Sequence, residues 1–165
     1  MPASCRAAVL TISDSVAEGT REDVSGPTVR KTLEEAGWQI ASHEVLPDDF
    51  PLIRERLEAL AGSSHLDAVF TTGGTGIGSR DRTPEATTSV MERSLPGLAE
   101  AMRLEGRKKT PLAGLSRAVV GMKGKVLLVN LPGSPEGAKD SLLAILDVLP
   151  HAVEVLRGSE VHPGG

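Results

Sequence analysis

The sequence predicts an α/β protein in which helices cover both faces of a mostly parallel sheet. Short apolar segments alternate along the chain with longer amphipathic segments, as is typical of parallel strands joined by helices. The apolar segments are nearly continuous, which indicates strands that are buried on both faces. The length of 165 residues is usual for one domain, and we find no internal repeat or linker, so we expect a single domain over 1–165.

The first unit is a strand followed by a helix. The segment AAVLTI at 7–12 is apolar and precedes a polar loop at 13–15. The segment SGPTVRKTLEEAGW then predicts a helix, because Ser25 or Gly26 can cap its N-terminus and Pro27 suits its first turn.

The same pattern repeats in the middle of the chain. Strands are expected over 38–46 and 66–72. Between them, the segment PLIRERLEALAG predicts a helix that Asp48 or Asp49 can cap.

The second half of the chain predicts three more helices and two more strands. A helix is expected over 83–93, because Thr83 has the form of an N-cap and is followed by proline and glutamate. Another helix is expected over 97–108. Two strands are joined at 123–124 within RAVVGMKGKVLLVNL, and Ser134 can cap the last helix, PEGAKDSLLAILDVL.

The composition disfavours nucleic-acid and membrane partners. The net charge is −4, and the only aromatic residues are Trp38, Phe50 and Phe70, whereas nonspecific nucleic-acid binders usually need a basic stripe and stacking platforms. A small polyanion needs only a local positive pocket. Cys5 is the single cysteine, and no apolar run is long enough for a signal peptide or membrane span, so we expect a cytoplasmic protein.

Three polar loops should form the ligand-binding edge of the sheet. In an open parallel sheet, ligands bind beyond the carboxyl ends of the strands, where loops lead into helix N-termini. The loops at 13–15, 71–81 and 131–135 occupy such positions. Their backbone N–H groups would point outward, which suits a phosphate group.

The loop TTGGTGIGSRD has the composition of a phosphate cradle. Gly73, Gly74 and Gly76 allow positive φ and close backbone approach, and Thr72 and Thr75 add hydroxyl donors. The alternative is a tight turn without a ligand. The loop is not a P-loop, because no lysine follows it, and it departs from the dinucleotide fingerprint because its third glycine comes one position early.

Acidic residues after two of the strands point to a metal ion. Asp48 and Asp49 follow one strand and Asp81 follows another, so their carboxylates can meet at one edge of a parallel sheet. Mg²⁺ is usually held by one or two carboxylates together with substrate phosphates. The alternative for Asp48 and Asp49 is helix capping, which explains Asp81 less well because Thr83 can already fill that role.

Ser116 lies in the segment GLSRA, which nearly matches the nucleophile elbow G-x-S-x-G. The segment lacks the final glycine and precedes a strand, where the elbow must follow one, so we expect no covalent role. Ser116 can contact phosphate beside Arg117, or it can be only a loop residue. The histidines lack metal-ligand spacing and receive no assignment: they are His43, His65, His151 and His162.

The segment TTGGTGIGSRDRTPEAT resembles the signature of the molybdenum-cofactor biosynthesis domain family, which includes bacterial molybdopterin adenylyltransferases and the N-terminal domain of gephyrin. Five more segments are similar to family landmarks in the family's order: LTISDS at 10–15, DVSGP at 23–27, LPDD at 46–49, LSR at 115–117 and NLPGSPEG at 130–137. The resemblance covers nearly the whole chain. Arg82 stands where the family usually has an apolar residue, which leaves open whether Arg82 contacts substrate.

The resemblance implies a three-layer α/β/α subunit with the molybdopterin-binding fold, usually a homotrimer. It implies that Mg-ATP and molybdopterin give adenylyl-molybdopterin and pyrophosphate, with Asp48 and Asp81 as the catalytic pair that holds Mg²⁺, and that the product passes to a molybdenum-inserting enzyme. It also implies a substrate pocket formed by several loops, namely Ser13, Asp14, Thr72, Gly73, Gly74, Thr75, Gly76, Arg80, Ser116, Arg117, Pro132, Gly133 and Ser134.

A second hypothesis comes from a different class of protein. Some members of this family look similar but are weak or inactive as enzymes, or serve as scaffolds. The two carboxylates and the intact TGGTG segment favour the enzyme, because a scaffold would need neither.

Overall fold

A computed structural model describes residues 4–158, so His162 lies outside the described range. Its centre is a six-stranded sheet. The strands are β1 (Arg6–Ile12), β2 (Gln39–Leu46), β3 (Ala68–Thr72), β4 (Arg93–Ser94), β5 (Val120–Lys123) and β6 (Val126–Leu131). Their order across the sheet is β2-β1-β3-β6-β5-β4. The first four in this order are parallel, and β5 and β4 extend one edge in antiparallel pairing.

Seven α-helices and one 3₁₀ helix are assigned within the described residues. They are α1 (Asp14–Ala17), α2 (Ser25–Glu35), α3 (Phe50–Ala61), α4 (Thr83–Val90), α5 (Pro96–Arg107), the 3₁₀ helix (Pro111–Leu115), α6 (Pro135–Ile145) and α7 (Leu149–Leu156). Across residues 4–158, no helix is long and apolar enough to cross a membrane.

The helices form a layer on each face of the sheet. On one face, α2, α5, α6 and α7 pack on strand residues such as Val9 and Phe70. On the other face, α3 and α4 pack on residues such as Leu10 and Val69. Successive strand side chains point to opposite faces, which is why the apolar segments of the sequence are continuous. The predicted three-layer α/β/α arrangement is confirmed.

The helix starts differ from the predicted capping. Gly26 donates its backbone N–H to Oδ1 of Asp23 at 2.9 Å, so Asp23 caps α2 instead of Ser25 or Gly26. The prediction of Thr83 as an N-cap is wrong, because Thr83 is the first residue of α4 and its side chain makes no capping bond. Ser134 does cap α6, accepting from the N–H of Gly137 at 3.1 Å.

Several helices differ from the sequence prediction. The helix α4 ends at Val90, before the predicted end, because the chain turns to pair β4 with β5. The last predicted helix ends at Ile145 as α6, before its predicted end, and α7 begins at Leu149, the last residue of the predicted segment. The helix α1 and the 3₁₀ helix are short, and the sequence pattern did not predict them.

Candidate active site

The loops after four parallel strands converge at the carboxyl edge of the sheet. They line a cleft of about 330 Å³, which we call the edge cleft. Its walls include Ser13, Asp48, Gly74, Asp81 and Ser134. The three loops predicted to bind a ligand therefore come together, and Asp48 joins them.

A second cavity, of about 720 Å³, adjoins the edge cleft. It lies between α5, the 3₁₀ helix and α6, and we call it the side pocket. The two cavities share Gly74, Asp81, Gly133 and Ser134. Ser116 lines the side pocket but not the edge cleft. Two ligands, one in each cavity, would meet beside these shared residues.

The first two glycines of the loop at 73–76 are required by the backbone. Gly73 and Gly74 have φ values of 107° and 69°, which other residues rarely adopt. A Cβ atom on Gly73 would lie 2.1 Å from the carbonyl oxygen of Ile12, and one on Gly74 would lie 2.2 Å from Oγ1 of Thr83. The expectation of positive φ is confirmed at these two positions.

Thr72, Thr75 and Gly76, the other loop residues predicted to bind a ligand, contact or pack against other parts of the protein. The hydroxyl of Thr72 donates to the carbonyl oxygen of Pro132 at 2.7 Å and joins the loops after β3 and β6. Thr75 is buried. Gly76 lies outside the positive-φ region, so that expectation is wrong for it; a Cβ atom there would instead lie 2.9 Å from Oδ2 of Asp81.

Asp14 and Asp48 join the loops that follow β1 and β2. Oδ2 of Asp48 accepts the N–H of Asp14 at 3.0 Å, and Oδ1 of Asp14 accepts the N–H of Asp48 at 2.9 Å. Ser13 caps α1 by accepting the N–H of Val16 at 3.3 Å. The side chains of Asp14 and Asp48 therefore bond each other's backbone, and capping of α3 does not explain Asp48.

Arg80 forms a salt bridge with Asp14. Its Nε and Nη2 atoms donate to the two carboxylate oxygens of Asp14 at 2.7 and 3.0 Å. This hydrogen bonding lowers the pKa of Asp14. Arg80 is largely exposed, so a phosphate group at the edge could compete with Asp14 for its guanidinium.

One oxygen of Asp48 is buried without a partner. Its Oδ1 atom has no hydrogen-bond partner in residues 4–158 and lies 3.0 Å from where a Cβ atom on Gly74 would be. Burial raises the pKa of Asp48, and the charges of Asp14 and Asp81 raise it further, against the hydrogen bond from the Asp14 backbone. Buried carboxylate oxygens are costly without a partner, and a cation or a polar ligand would satisfy this atom.

Asp81 completes the pair of carboxylates. Its Oδ2 atom accepts the N–H of Gly78 at 2.9 Å, and Asp81 lines both cavities. Within the described part of the chain, no group of three or more histidine, cysteine or acidic side chains could hold a metal ion. A cation here would rest on Asp48 and Asp81 together with water or substrate oxygens, which is the usual environment of Mg²⁺.

Ser116 and Arg117 lie between the 3₁₀ helix and β5 and have different surroundings. The Oγ atom of Ser116 accepts the N–H of Ala118 at 3.3 Å, at the wall of the side pocket. Arg117 donates from Nε to the carbonyl oxygen of Gly76 at 2.7 Å and from Nη2 to that of Asp81 at 2.6 Å. The guanidinium group of Arg117 is therefore turned toward the protein backbone.

Five of the charged residues near the site lie outside the walls of the edge cleft and the side pocket, namely Asp14, Asp49, Arg80, Arg82 and Arg117. The guanidinium carbon of Arg82 is 5.0 Å from the ring centroid of Phe50, a cation–π contact on α3. Asp49 occupies the N-cap position of α3, but its side chain makes no capping bond.

Asn130 is a buried polar residue that the sequence reasoning did not assign individually. Its Nδ2 atom donates to the hydroxyls of Thr71 at 3.1 Å and Thr87 at 2.9 Å, and its Oδ1 atom accepts the N–H of Val119 at 3.2 Å. It thereby joins β3, β6 and α4 beneath the site. An asparagine inside the apolar segment VLLVNL was the available signal.

A second buried polar group lies beside the edge cleft. Nε2 of His43 is 2.9 Å from Oγ1 of Thr11 and 3.2 Å from Oδ2 of Asp23. Thr11 donates to the same Asp23 oxygen at 2.8 Å, and both residues line the cleft. A Cβ atom on Gly26 would lie within 2.6 Å of all three side chains. Sequence spacing gave no signal, because the three residues are distant along the chain.

The fold and the site define an α/β protein with a cleft at the carboxyl edge of its sheet, lined by loop glycines and carboxylates. Residues 8–151 match the family model described as a probable molybdopterin binding domain. The chain belongs to this family, as its resemblance predicted.

Individual relatives are similar over most of their length. A molybdopterin adenylyltransferase of Helicobacter pylori (strain J99) is 37% identical over 153 residues, covering 92% of this chain and 87% of the relative. The molybdenum cofactor biosynthesis protein B of Halalkalibacterium halodurans is 33% identical over 158 residues, covering 94% and 91%. The crystal structure of the molybdopterin biosynthesis enzyme MoaB from Thermus thermophilus is 46% identical, with a TM-score of 0.88 and coverage of 94% and 98%.

Proposed function

We propose that this protein is a molybdopterin adenylyltransferase, an enzyme of molybdenum cofactor biosynthesis. A phosphate oxygen of molybdopterin attacks the α-phosphorus of ATP, the bond between the α-phosphorus and the bridging oxygen breaks, and pyrophosphate leaves. The observation that carries the proposal is the junction of two cavities at Asp81 and the glycine loop, beside the unsatisfied oxygen of Asp48. The name of the Helicobacter relative supports the choice of reaction.

Repulsion between two anions is the main obstacle to this reaction, and the site is suited to reduce it. Asp48 and Asp81 would hold Mg²⁺, and the unpartnered Oδ1 atom of Asp48 fits that role. When bound, Mg²⁺ would neutralise charge on the reacting phosphates and on pyrophosphate. The backbone amides of the glycine loop and of the α6 N-terminus favour negative charge at the same edge.

The remaining residues position the substrates. Ser116 faces the side pocket, where its hydroxyl can contact a phosphate of the pterin. Its Oγ atom accepts the N–H of Ala118, its hydroxyl donates to no base within residues 4–158, and no covalent intermediate is required. We assign the pocket as predicted to the loops at 13–14, 72–76 and 132–134, with Arg80 at their edge. Arg117 was also predicted to bind substrate, but because its guanidinium group bonds the backbone of Gly76 and Asp81, we assign it instead to support of the glycine loop.

The direct test is an assay with purified protein, Mg-ATP and molybdopterin, followed for pyrophosphate and adenylylated pterin. We expect Asp81→Asn to remain folded and to lose about 100-fold or more in turnover. Asp49→Asn is the matched control and should retain activity, because Asp49 lines neither cavity. Near-normal turnover by folded Asp81→Asn would overturn the carboxylate assignment. A wild-type protein that binds molybdopterin but forms no pyrophosphate would favour the alternative hypothesis of a non-catalytic scaffold protein.

We also propose a cytoplasmic homotrimer made of one domain per chain, which passes its product to a molybdenum-inserting enzyme. Exposed leucines on α5 and the 3₁₀ helix, Leu104, Leu112 and Leu115, favour contact between subunits. The single cysteine, Cys5, is buried and free, which suits a reducing compartment. Light scattering should give about three times 17.2 kDa; a stable monomer at micromolar concentration would contradict the trimer.

A further inference from the structure

Arg117 uses all three guanidinium nitrogens, two to bond the glycine loop and one to bond Glu85 at the start of α4. Nε donates to the carbonyl oxygen of Gly76 and Nη2 to that of Asp81, while Nη1 donates to Oε1 of Glu85 at 2.5 Å. The backbone N–H of Arg117 donates to the carbonyl oxygen of Thr75 at 2.8 Å. One residue therefore contacts the segment from 75 to 85 at four points.

These contacts close the exposed part of the loop. Gly76 and Asp81 stand at its two ends, and residues 77–80 between them are exposed. Exposed segments have few packing contacts to fix their shape, so the two carbonyl bonds from Arg117 set the distance between the ends. The position of the Asp81 carboxylate depends on that distance, because Asp81 also bonds Gly78 within the same loop.

Arg117 is itself held from both sides. Arg103 on α5 donates from Nη1 to the carbonyl oxygens of Ser116 at 3.3 Å and Ala118 at 2.9 Å, the two neighbours of Arg117. Glu85 neutralises the guanidinium charge. A guanidinium fork that is paired with a carboxylate and two carbonyls is not available to a substrate phosphate in the same way as a free arginine.

We propose that Arg117 is a positioning residue, which fixes Asp81 and the glycine loop for the nucleotide and does not contact substrate. The proposal rests on the proposed function for its catalytic part. The contacts with Gly76, Asp81 and Glu85 need a planar fork, so lysine cannot replace arginine here although it keeps the charge.

The first test uses the ligand-free protein and does not depend on activity. Trypsin can cleave after Arg80 and Arg82, and the rate can be followed by mass spectrometry. We expect Arg117→Lys to speed cleavage at these sites at least about fivefold while the circular dichroism spectrum is unchanged. Arg107→Lys, at the exposed end of α5, should leave that rate unchanged. An unaltered rate in Arg117→Lys would overturn the proposal, because a substrate ligand would not order the empty loop.

The second test measures turnover of the same variants. We expect kcat of Arg117→Lys to fall about 10- to 100-fold and the Mg²⁺ concentration for half-maximal rate to rise, since small displacements of reacting groups are costly. Glu85→Gln keeps an acceptor for Arg117 and should show a smaller change in the same direction, and it carries the test if Arg117→Lys does not fold. A raised KM for ATP with unchanged kcat and Mg²⁺ dependence would mean a substrate ligand instead.

The two proposals can fail separately. If the wild-type protein adenylylates no pterin but binds Mg-ATP in calorimetry, only the proposed reaction is wrong, and Arg117→Lys should then bind Mg-ATP at least about tenfold more weakly. Equal affinity of the variant and the wild type would overturn the positioning role. Failure of the wild-type protein to bind any nucleotide would overturn both proposals.

Discussion

Asp14 and Asp48 each accept a hydrogen bond from the other's backbone N–H group, at 2.9 and 3.0 Å. The two residues follow β1 and β2, which are neighbouring parallel strands, so the exchange fixes their loops at the carboxyl edge of the sheet. It also brings two like charges together and leaves the second oxygen of Asp48 buried without a partner among residues 4–158. The fold therefore holds Asp48 in a position that is unfavourable for the protein without a ligand.

Asp48→Asn should stabilise the protein and abolish adenylylation. The pKa of Asp48 is raised in the folded state, so its cost to stability begins as the pH rises through the unfolded value of about 3.8 and is complete above the folded-state pKa; at lower pH the group is protonated in both states and the cost is absent. Asparagine keeps the shape and removes the charge. We expect a gain on the order of 1 kcal/mol at pH 7, measured by thermal unfolding.

The pH dependence makes that prediction specific. The gain should shrink as the pH is lowered toward 4, because the wild-type carboxyl is then protonated as well. Asp49→Asn should change neither stability nor activity appreciably. If Asp48→Asn is less stable than the wild-type protein at neutral pH, the charged carboxylate stabilises the folded state, which would contradict the prediction.

Gly74→Ala should impair nucleotide binding before it unfolds the protein. Alanine would meet a φ of 69°, Oγ1 of Thr83 at 2.2 Å and Oδ1 of Asp48 at 3.0 Å. The unfavourable φ alone costs about 1–2 kcal/mol, and we expect about 2–4 kcal/mol in total by denaturant titration. Gly97→Ala is the matched control on α5, where no atom lies within 4 Å of the new Cβ, and it should be neutral or slightly stabilising. Unchanged Mg-ATP affinity in folded Gly74→Ala would mean that the loop is a turn without a role in nucleotide binding.

Asn130→Ala should destabilise the protein by about 2–4 kcal/mol, because it leaves three buried partners unsatisfied. Those partners are the hydroxyls of Thr71 and Thr87 and the N–H of Val119. Thr88→Ala, at an exposed position of α4, should change the free energy of unfolding by less than about 0.5 kcal/mol. Equal effects of the two substitutions would show that the network contributes little.

The elements and the place of the site could be predicted because both depend on local pattern and on a rule of topology. Buried parallel strands give continuous apolar segments, and the carboxyl ends of such strands share one edge, which brings Asp48 and Asp81 together. The proposed ligands rest on resemblance, since glycines and carboxylates at a sheet edge suit many phosphate compounds.

The direction of individual side chains could not be predicted. Arg117 lies next to Ser116 in a loop, yet its Nε atom bonds a carbonyl oxygen 41 positions earlier. Thr83 had the form of a cap, but the chain enters α4 one residue sooner and buries the hydroxyl. Such details depend on backbone contacts that form only in the folded protein.

His43 should make the protein less stable in mild acid. Its side chain is only 13% exposed, and burial lowers its pKa, with Arg30 acting in the same direction and Asp23 opposing both. Because the folded-state pKa lies below the unfolded value of about 6.5, the unfolded chain binds a proton first as the pH falls. The stability contribution is therefore complete above about pH 6.5 and is lost below it, by up to about 1.4 kcal/mol per pH unit.

His43→Gln tests this prediction, because glutamine can still donate to Thr11 but does not titrate. At pH 7.5 the variant should match the wild-type protein to within about 1 kcal/mol, and between pH 6.5 and 5 its free energy of unfolding should fall less steeply. His65→Gln, at an exposed loop position, should reproduce the wild-type slope. Urea titrations across this range measure all three proteins, and parallel slopes for the wild-type protein and His43→Gln would mean that the acid sensitivity arises from other groups.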